Sequence, residues 1–522
     1  MNSELLVPLL IVAPIVAATL PIALGLWFDR TGWSVAAITT SGLFVAAAYL
    51  AGVVFTAGKQ RHELGGYSRE FGIELVADQF SMLIVLLVTA VALGVLAYTR
   101  RGGPRGNTFY TAYLLLTGGL LGISLTGDVF NLFVFLEITS LATYALVASG
   151  DGPEAAVAAL KYLILGTVAA SMYLIGVAFV LMATGTLNMV ELATAIPDGD
   201  PTLIRAGFAF MIVGFATKVA QWPLHTWQPS AYNRAPDGVT PLIAALVSTA
   251  SAYAFGRLIV TVFGVDYLSA MPRASAVIVT IGCVSVLAGT VLAVIQRDVK
   301  RMLAYSSVSQ FGLVIAAYGV VIAGHSETAF IGAAIHLVGH GLLKAGLFLT
   351  AGLIAVSYDA RTVDEYAGLS KDRPVAAAAM AVLLLALVGV PPGVGFVGKW
   401  YIALGAVQSE LWPVAAVIFL STMLTLAYAA RLLEKMYFTP SAPVDRSHAP
   451  GTSGAAATDG GTGPGRETGA ITAAFRGRGS PEAVSTGMLA VVVVAAIGAV
   501  VLGFAGGTVA ELLDPFLTEV FN

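Results

Sequence analysis

The chain has 522 residues, 57% of them hydrophobic and only 11% charged, with a formal net charge of −3 and a mean hydropathy of +0.86. Soluble domains carry about 25% charged residues, so this composition excludes one and places the chain in a lipid bilayer. The charge balance offers no basic face for nucleic acid, and the single cysteine, Cys283, excludes an internal disulfide or a cysteine metal cluster. In its apolar run Cys283 reads as a small buried hydrophobe.

Apolar runs of about 17 to 25 residues are long enough to cross a bilayer, and their continuity favours helices over barrel strands, which would alternate over about ten residues. In chain order, about fourteen spans are predicted. They lie near 5–27, 33–56, 76–98, 109–126, 129–149, 158–183, 203–222, 238–263, 274–295, 303–323, 328–356, 375–404, 411–438 and 485–507. The first lacks a basic n-region and is long enough to span, so it reads as a helix rather than a signal peptide. The expected fold is an all-α polytopic membrane protein.

Lys and Arg are unevenly shared between the two sets of loops. About eighteen follow odd-numbered spans, including Arg100, Arg234, Arg297, Lys300, Arg361 and Arg431, and about six (Lys59, Arg61, Arg69, Arg205, Arg257, Arg273) lie opposite. Cytoplasmic loops carry the excess, which puts both termini outward in a plasma-membrane setting. Residues 441–483 are rich in Gly, Ala, Ser, Thr and Pro. They cannot bury enough apolar surface to order themselves and are expected to form a flexible cytoplasmic loop. About fifteen residues follow the last span and are expected to form a short tail rather than a soluble domain.

Four ionisable side chains fall inside the spans: Glu137 in the fifth, Lys218 in the seventh, Lys344 in the eleventh and Lys399 in the twelfth. A charge at bilayer depth costs about 2.5–3.5 kcal/mol or more, so such groups face a protein interior or a wet cavity and mark ion paths. Pro223 follows Lys218, while Pro391 and Pro392 precede Lys399. Proline removes a donor and obstructs the preceding turn, so the seventh and twelfth spans should be broken near mid-membrane. Interrupted spans at corresponding places in two halves point to transport sites. The spacing of five predicts two five-helix units, spans 4–8 and 9–13, inverted because an odd number of helices turns the second copy over. The implied division is 1–108 for the first three helices, 109–263 and 264–440 for the units, 441–483 for the loop and 484–522 for the last helix and tail.

His336, His340 and Lys344 recur every four residues and share one face of the eleventh helix. Imidazole titrates near neutrality, which suits a stepwise proton relay. No carboxylate or thiol accompanies the histidines at metal spacing, so no metal site is expected. Glu137 and Lys218, if they meet, make an electrostatic switch in which a proton on the amine sets the charge the carboxylate feels.

Five stretches carry a family resemblance: TGDVFNLFVFLEITSLATYAL, KVAQWPLHTWQPSAYNRAP, QRDVKRMLAYSSVSQFG, HLVGHGLLKAGLFL and GVPPGVGFVGKW. In order and spacing the chain resembles the antiporter-like subunits shared by Mrp-type cation/proton antiporters, respiratory complex I and membrane-bound hydrogenases. The GDVFNLFVFLE wording is most similar to D-type subunits of Mrp antiporters. The resemblance implies a proton path through Glu137, Lys218, His340, Lys344 and Lys399, which His336 adjoins on the face of the eleventh helix. It also exposes a departure. Relatives often place a lysine in the eighth span in a pattern like LLTKVGVYA, whereas this chain reads LVSTASAYA with Thr249 at that position. Ser248, Thr249 and Ser251 would then hold bridging water.

Two functions fit. In one, the chain is a subunit of a secondary antiporter that exchanges protons for Na+ or another monovalent cation beside other membrane subunits. In the other, it is a proton-pumping subunit of complex I or a hydrogenase. No iron–sulfur cysteine motif and no dinucleotide fingerprint are present, so no cofactor is expected on this chain and any redox catalysis would lie on another subunit. A stand-alone carrier lacks support, since nothing marks a pocket for an organic substrate.

Overall fold

Without water to satisfy its amides, a long apolar segment is driven to bond its own backbone as a helix. The computed structural model describes residues 3–28, 31–69, 72–102, 106–271, 273–440 and 485–521; the expected 441–483 loop lies outside them. The main helices are α1 (Ser3–Ala17), α2 (Leu20–Gly25), α3 (Gly32–Ala57), α4 (Gln79–Gly102), α5 (Asn107–Leu125), α6 (Val129–Ala148), α7 (Pro153–Thr184) and α8 (Met189–Ala195). Next come α9 (Pro201–Lys218), α10 (Trp227–Arg234), α11 (Thr240–Phe263), α12 (Ala274–Val294), α13 (Val299–Gly324) and α14 (Glu327–Tyr358). The chain continues through α15 (Pro374–Val388), α16 (Val394–Gln408), α17 (Trp412–Tyr437), α18 (Thr486–Phe504) and α19 (Gly506–Phe521).

Among the described residues, 12 helices are long and apolar enough to cross a membrane, α1 and α2 together counting as one. The remaining two predicted spans are the broken ones, α9 with α10 and α15 with α16. The protein is thus an all-α polytopic chain, as its composition implies. The seventh span ends at Lys218 rather than near residue 222. Pro223 obstructs the carbonyl four residues back, at Val219, so the helix is lost there and not at the proline itself.

One segment departs from expectation. Residues 76 and 77, placed in the third span, instead end β2 (Glu74–Ala77), antiparallel to β1 (Gln60–Glu63) with Gln60 opposite Ala77. Asp78 accepts from the Ser81 amide at 2.9 Å, and this N-cap starts α4 at Gln79. The short tail after the last span is the 16-residue helix α19. Leu513, Phe516 and Leu517 recur at helical spacing and bury one face of it.

Burial is concentrated at the centre. The most apolar stretch of α11 is wholly buried and those of α13 and α14 nearly so, while α3, α17 and α18 keep most of their surface outward. A further regularity recurs in the two halves of the chain. Ahead of α6, Val129 N donates to Leu187 O at 3.0 Å and Met189 N to Gly127 O at 2.8 Å. Ahead of α13, Val299 N donates to Arg361 O at 2.9 Å and Val363 N to Arg297 O at 2.8 Å. Both helices begin on an aspartate cap, Asp128 accepting from Asn131 N and Asp298 from Arg301 N.

Candidate functional site

Lys218 is the last residue of α9, beyond which Ala220 adopts a left-handed φ of 53° and α10 starts again at Trp227. Its amine donates to Ser140 Oγ of α6 at 2.7 Å and lies 4.0 Å from Glu137 Oε1. Lys218 is 7% exposed, whereas the Glu137 side chain is 27% exposed. The nearest partner of the amine is therefore a hydroxyl, with the carboxylate at the edge of ion-pair range. The two expected partners do converge.

Lys399 lies beyond its break, on α16, and reaches back to donate to Leu387 O at 3.2 Å and Val388 O at 2.9 Å. These carbonyls end α15, where no intrahelical donor remains and the helix dipole is negative. Gly389, with φ 99°, turns the chain away and leaves them open to the amine. In sequence the two lysines stand on opposite sides of their prolines. In space Lys218 ends its first half-helix and bonds outward to α6, whereas Lys399 bonds the C-terminal carbonyls of its own first half-helix.

Lys344 is fully buried and donates to Leu303 O at 2.7 Å and to Ser306 Oγ, both on α13. One turn back, the His340 ring sits edge-on to Phe311 of α13 at 4.7 Å between centroids. His336 stacks beyond it at 6.2 Å. A Cβ added at Gly398 would meet His336 Nδ1 at 2.9 Å, so the stripe on α14 presses against the turn that carries Lys399. All four imidazole nitrogens are buried without a protein hydrogen-bond partner.

The eighth-span hydroxyls behave differently from one another. Two π-helical turns, Ile243–Val247 and Leu258–Phe263, flank the α-helical Ser248–Arg257 segment of α11. Ser248 Oγ lies 2.9 Å from the Tyr232 hydroxyl, and Ser251 spends its hydrogen on Val247 O at 2.9 Å. Thr249 Oγ1 is buried and unpartnered.

Sequence reasoning missed the uncharged polar groups at the breaks. Gln221, His225 Nδ1, Gln228 Oε1 and Gln310 Oε1 are buried without a hydrogen bond from the protein, as is Glu137 Oε1. Each such atom costs about 1–3 kcal/mol if left dry, and native interiors satisfy such groups with ordered water. The clustering of glutamine and histidine in AQWPLHTWQP beside a broken span was the available signal. Arg257 and Lys300, which read as loop charges in the sequence, are also buried. Arg257 pairs with Asp78, and Lys300 lies 3.0 Å from Asp237 Oδ1. Cys283 is half-buried on α12 rather than fully enclosed.

Comparison with known proteins gives the family and the fold. Residues 126–425 match the transmembrane family described as NADH:quinone oxidoreductase/Mrp antiporter. The chain is 36% identical over 459 residues to the N-type subunit of the NADH-quinone oxidoreductase of Desulforudis audaxviator, covering 85% of this chain and 89% of the relative. It is 30% identical over 441 residues to the D-type subunit of the Na(+)/H(+) antiporter of Bacillus subtilis, covering 83% and 86%. Its fold superimposes on a chain of the Mrp complex from Dietzia sp. DQ12-45-1b with a TM-score of 0.86 at 25% identity, covering 100% and 98%. With more than half its length in the family match and relatives at this identity along most of the chain, the protein belongs to the NADH:quinone oxidoreductase/Mrp antiporter transmembrane family.

Proposed function

We propose that this chain is the proton-translocating, antiporter-like subunit of a multisubunit membrane complex, and that it exchanges protons for a monovalent cation such as Na+ as part of an Mrp-type assembly. The carrying observation is the series of ionisable groups within the bundle, part-buried Glu137 beside buried Lys218 and the buried His340/Lys344 stripe beside Lys399, interleaved with unpartnered polar atoms. A proton added to Lys218 changes the field at Glu137, so the pair is the switch, and the α14 stripe carries charge on toward Lys399. Units 109–263 and 264–440 act as inverted copies of one five-helix design, which the matched loop bridges and caps at Asp128 and Asp298 support. Both termini face outward and the complex sits in the plasma membrane. Its partners are other membrane subunits, lipid, protons and monovalent cations.

The test is proton exchange in vesicles bearing the assembled complex. Glu137→Gln, which keeps shape and removes charge, should bring cation-dependent exchange to near background while the complex still assembles. Near-parental exchange would reject the switch. A second reading, in which redox partners power proton pumping through this chain, is favoured by the 36% identity to a quinone oxidoreductase relative against 30% to an antiporter relative. Exchange driven by a Na+ gradient without any electron donor supports the first reading; strict dependence on a donor supports the second.

A further inference from the structure

Between Lys218 and Lys344 the proposed path crosses α10 and α11, where Thr249 stands in place of an amine. The structure fills this interval with a chain of uncharged groups. Gln228 and Tyr232 stand one turn apart on α10; Gln228 Nε2 donates to the Tyr232 hydroxyl at 2.8 Å, which in turn lies 2.9 Å from Ser248 Oγ of α11. All three residues are fully buried. The amide N–H takes one lone pair of the phenol oxygen, either hydroxyl can donate across the Tyr232–Ser248 contact, and when the phenol donates its second lone pair stays open. Unpartnered atoms bracket the chain, Gln228 Oε1 at one end and Thr249 Oγ1 at the other. The Tyr232 ring packs edge-on to Phe348 at 5.7 Å, and Lys344 Nζ lies 5.9 Å from that same Phe348 ring.

Other buried tyrosines here do something else with their hydroxyls. Tyr113, Tyr173, Tyr253 and Tyr318 each donate to a backbone carbonyl, of Ala92, Val129, Ser124 and Ala252 respectively, and so fasten one helix to another. The Tyr232 hydroxyl bonds only to side chains, both of which can rotate or exchange hydrogens.

We propose that Tyr232 is a proton-relay residue, aligned by Gln228 and continued by Ser248 and Thr249, that takes the place of the missing eighth-span amine. The proposal rests on the proton-path reading above and deepens it. A protonated water beside Gln228 Oε1 delivers its proton to the open lone pair of the phenol oxygen, forming one O–H bond. The original phenol O–H bond breaks as its hydrogen passes to Ser248 Oγ, and the hydrogen of Ser248 leaves to a water at Thr249 Oγ1. One proton enters and one leaves, no electrons change owner, and both hydroxyls end neutral.

Tyr232→Phe removes only the hydroxyl. In the complete complex, reconstituted with its companion subunits in vesicles containing a pH dye, it should slow proton uptake about tenfold or more at unchanged complex yield. Adding Thr249→Lys to Tyr232→Phe should recover at least about a third of the parental rate, because an amine on α11 makes the hydroxyl dispensable. Lys218→Ala, run alongside, separates the two layers of inference. If Tyr232→Phe stays within about twofold of parent while Lys218→Ala is inactive, the relay is overturned and the proton path stands. If both variants stay active, the path itself falls and the relay with it. A slow Tyr232→Phe that Thr249→Lys does not rescue overturns the relay in favour of a packing role. Should Tyr232→Phe fail to assemble, Ser248→Ala with the same rescue is read by the same criteria.

Discussion

Thr249 is a fully buried hydroxyl with no protein partner. Burying an unsatisfied hydroxyl is unfavourable, and Val has nearly the same shape without that cost. Thr249→Val is therefore expected to leave stability unchanged or slightly raised. If Thr249 holds a bridging water, the same change should slow proton uptake about fivefold, the rate equivalent of about 1 kcal/mol. Stopped-flow dye measurements on the reconstituted complex decide it, and an unaltered rate would route protons elsewhere. Glu137, Lys218, Lys344 and Lys399 were legible in the sequence because a charge within apolar sequence is conspicuous and costly. Gln228 and Tyr232 were not. Polar uncharged residues in a helix look alike until packing shows which hydroxyl meets a side chain and which a carbonyl.

The broken helices were legible from their prolines, but not the arrangement of their lysines. Pro391 and Pro392 announce a break, yet only the folded chain shows Lys399 reaching back to the Leu387 and Val388 carbonyls. That contact depends on Gly389, whose φ of 99° suits no L side chain and where an added Cβ would meet Lys399 Cδ at 3.4 Å. Gly389→Ala should cost about 1–2 kcal/mol of stability through its backbone alone and also slow proton transfer by shifting the turn that leaves the Leu387 and Val388 carbonyls open to the amine. Gly58 is the control. It has φ 90° and open space around its added Cβ, so Gly58→Ala should lower thermal stability comparably and leave proton uptake intact. Equal transport in both variants would show that the Lys399 contact is unimportant.

Across the whole molecule, α19 closes the end of the bundle that holds Arg257. The Arg257 guanidinium pairs with Asp78, donates to the Tyr253 hydroxyl at 2.8 Å and lies 5.1 Å from the Phe516 ring of α19. Lys59 pairs with Glu519 nearby, tying β1's approach to the same helix. Removing one partner of a buried pair leaves an uncompensated charge, so Arg257→Ala should destabilise the protein by about 3–5 kcal/mol. Combining Asp78→Asn, which keeps the N-cap of α4, with Arg257→Met should recover most of that loss. Thermal unfolding of the purified complex in detergent reads both, and equal loss in the two variants would mean that the charge itself matters little.

The sequence by itself determined the membrane setting, the helical class, most spans and their two interruptions, because hydropathy and proline act along the chain within a turn or two. It did not determine the hairpin at residues 60–77 or the packed helix α19, whose stability comes from distant partners. Nor did it say which buried groups meet. Lys218 bonds to a serine 78 residues earlier in the chain, and Lys344 to a serine 38 residues earlier. Contacts of that range carry no local periodicity; the packing of α6 and α9 on the shared neighbour α7, and of α13 against α14, decides them.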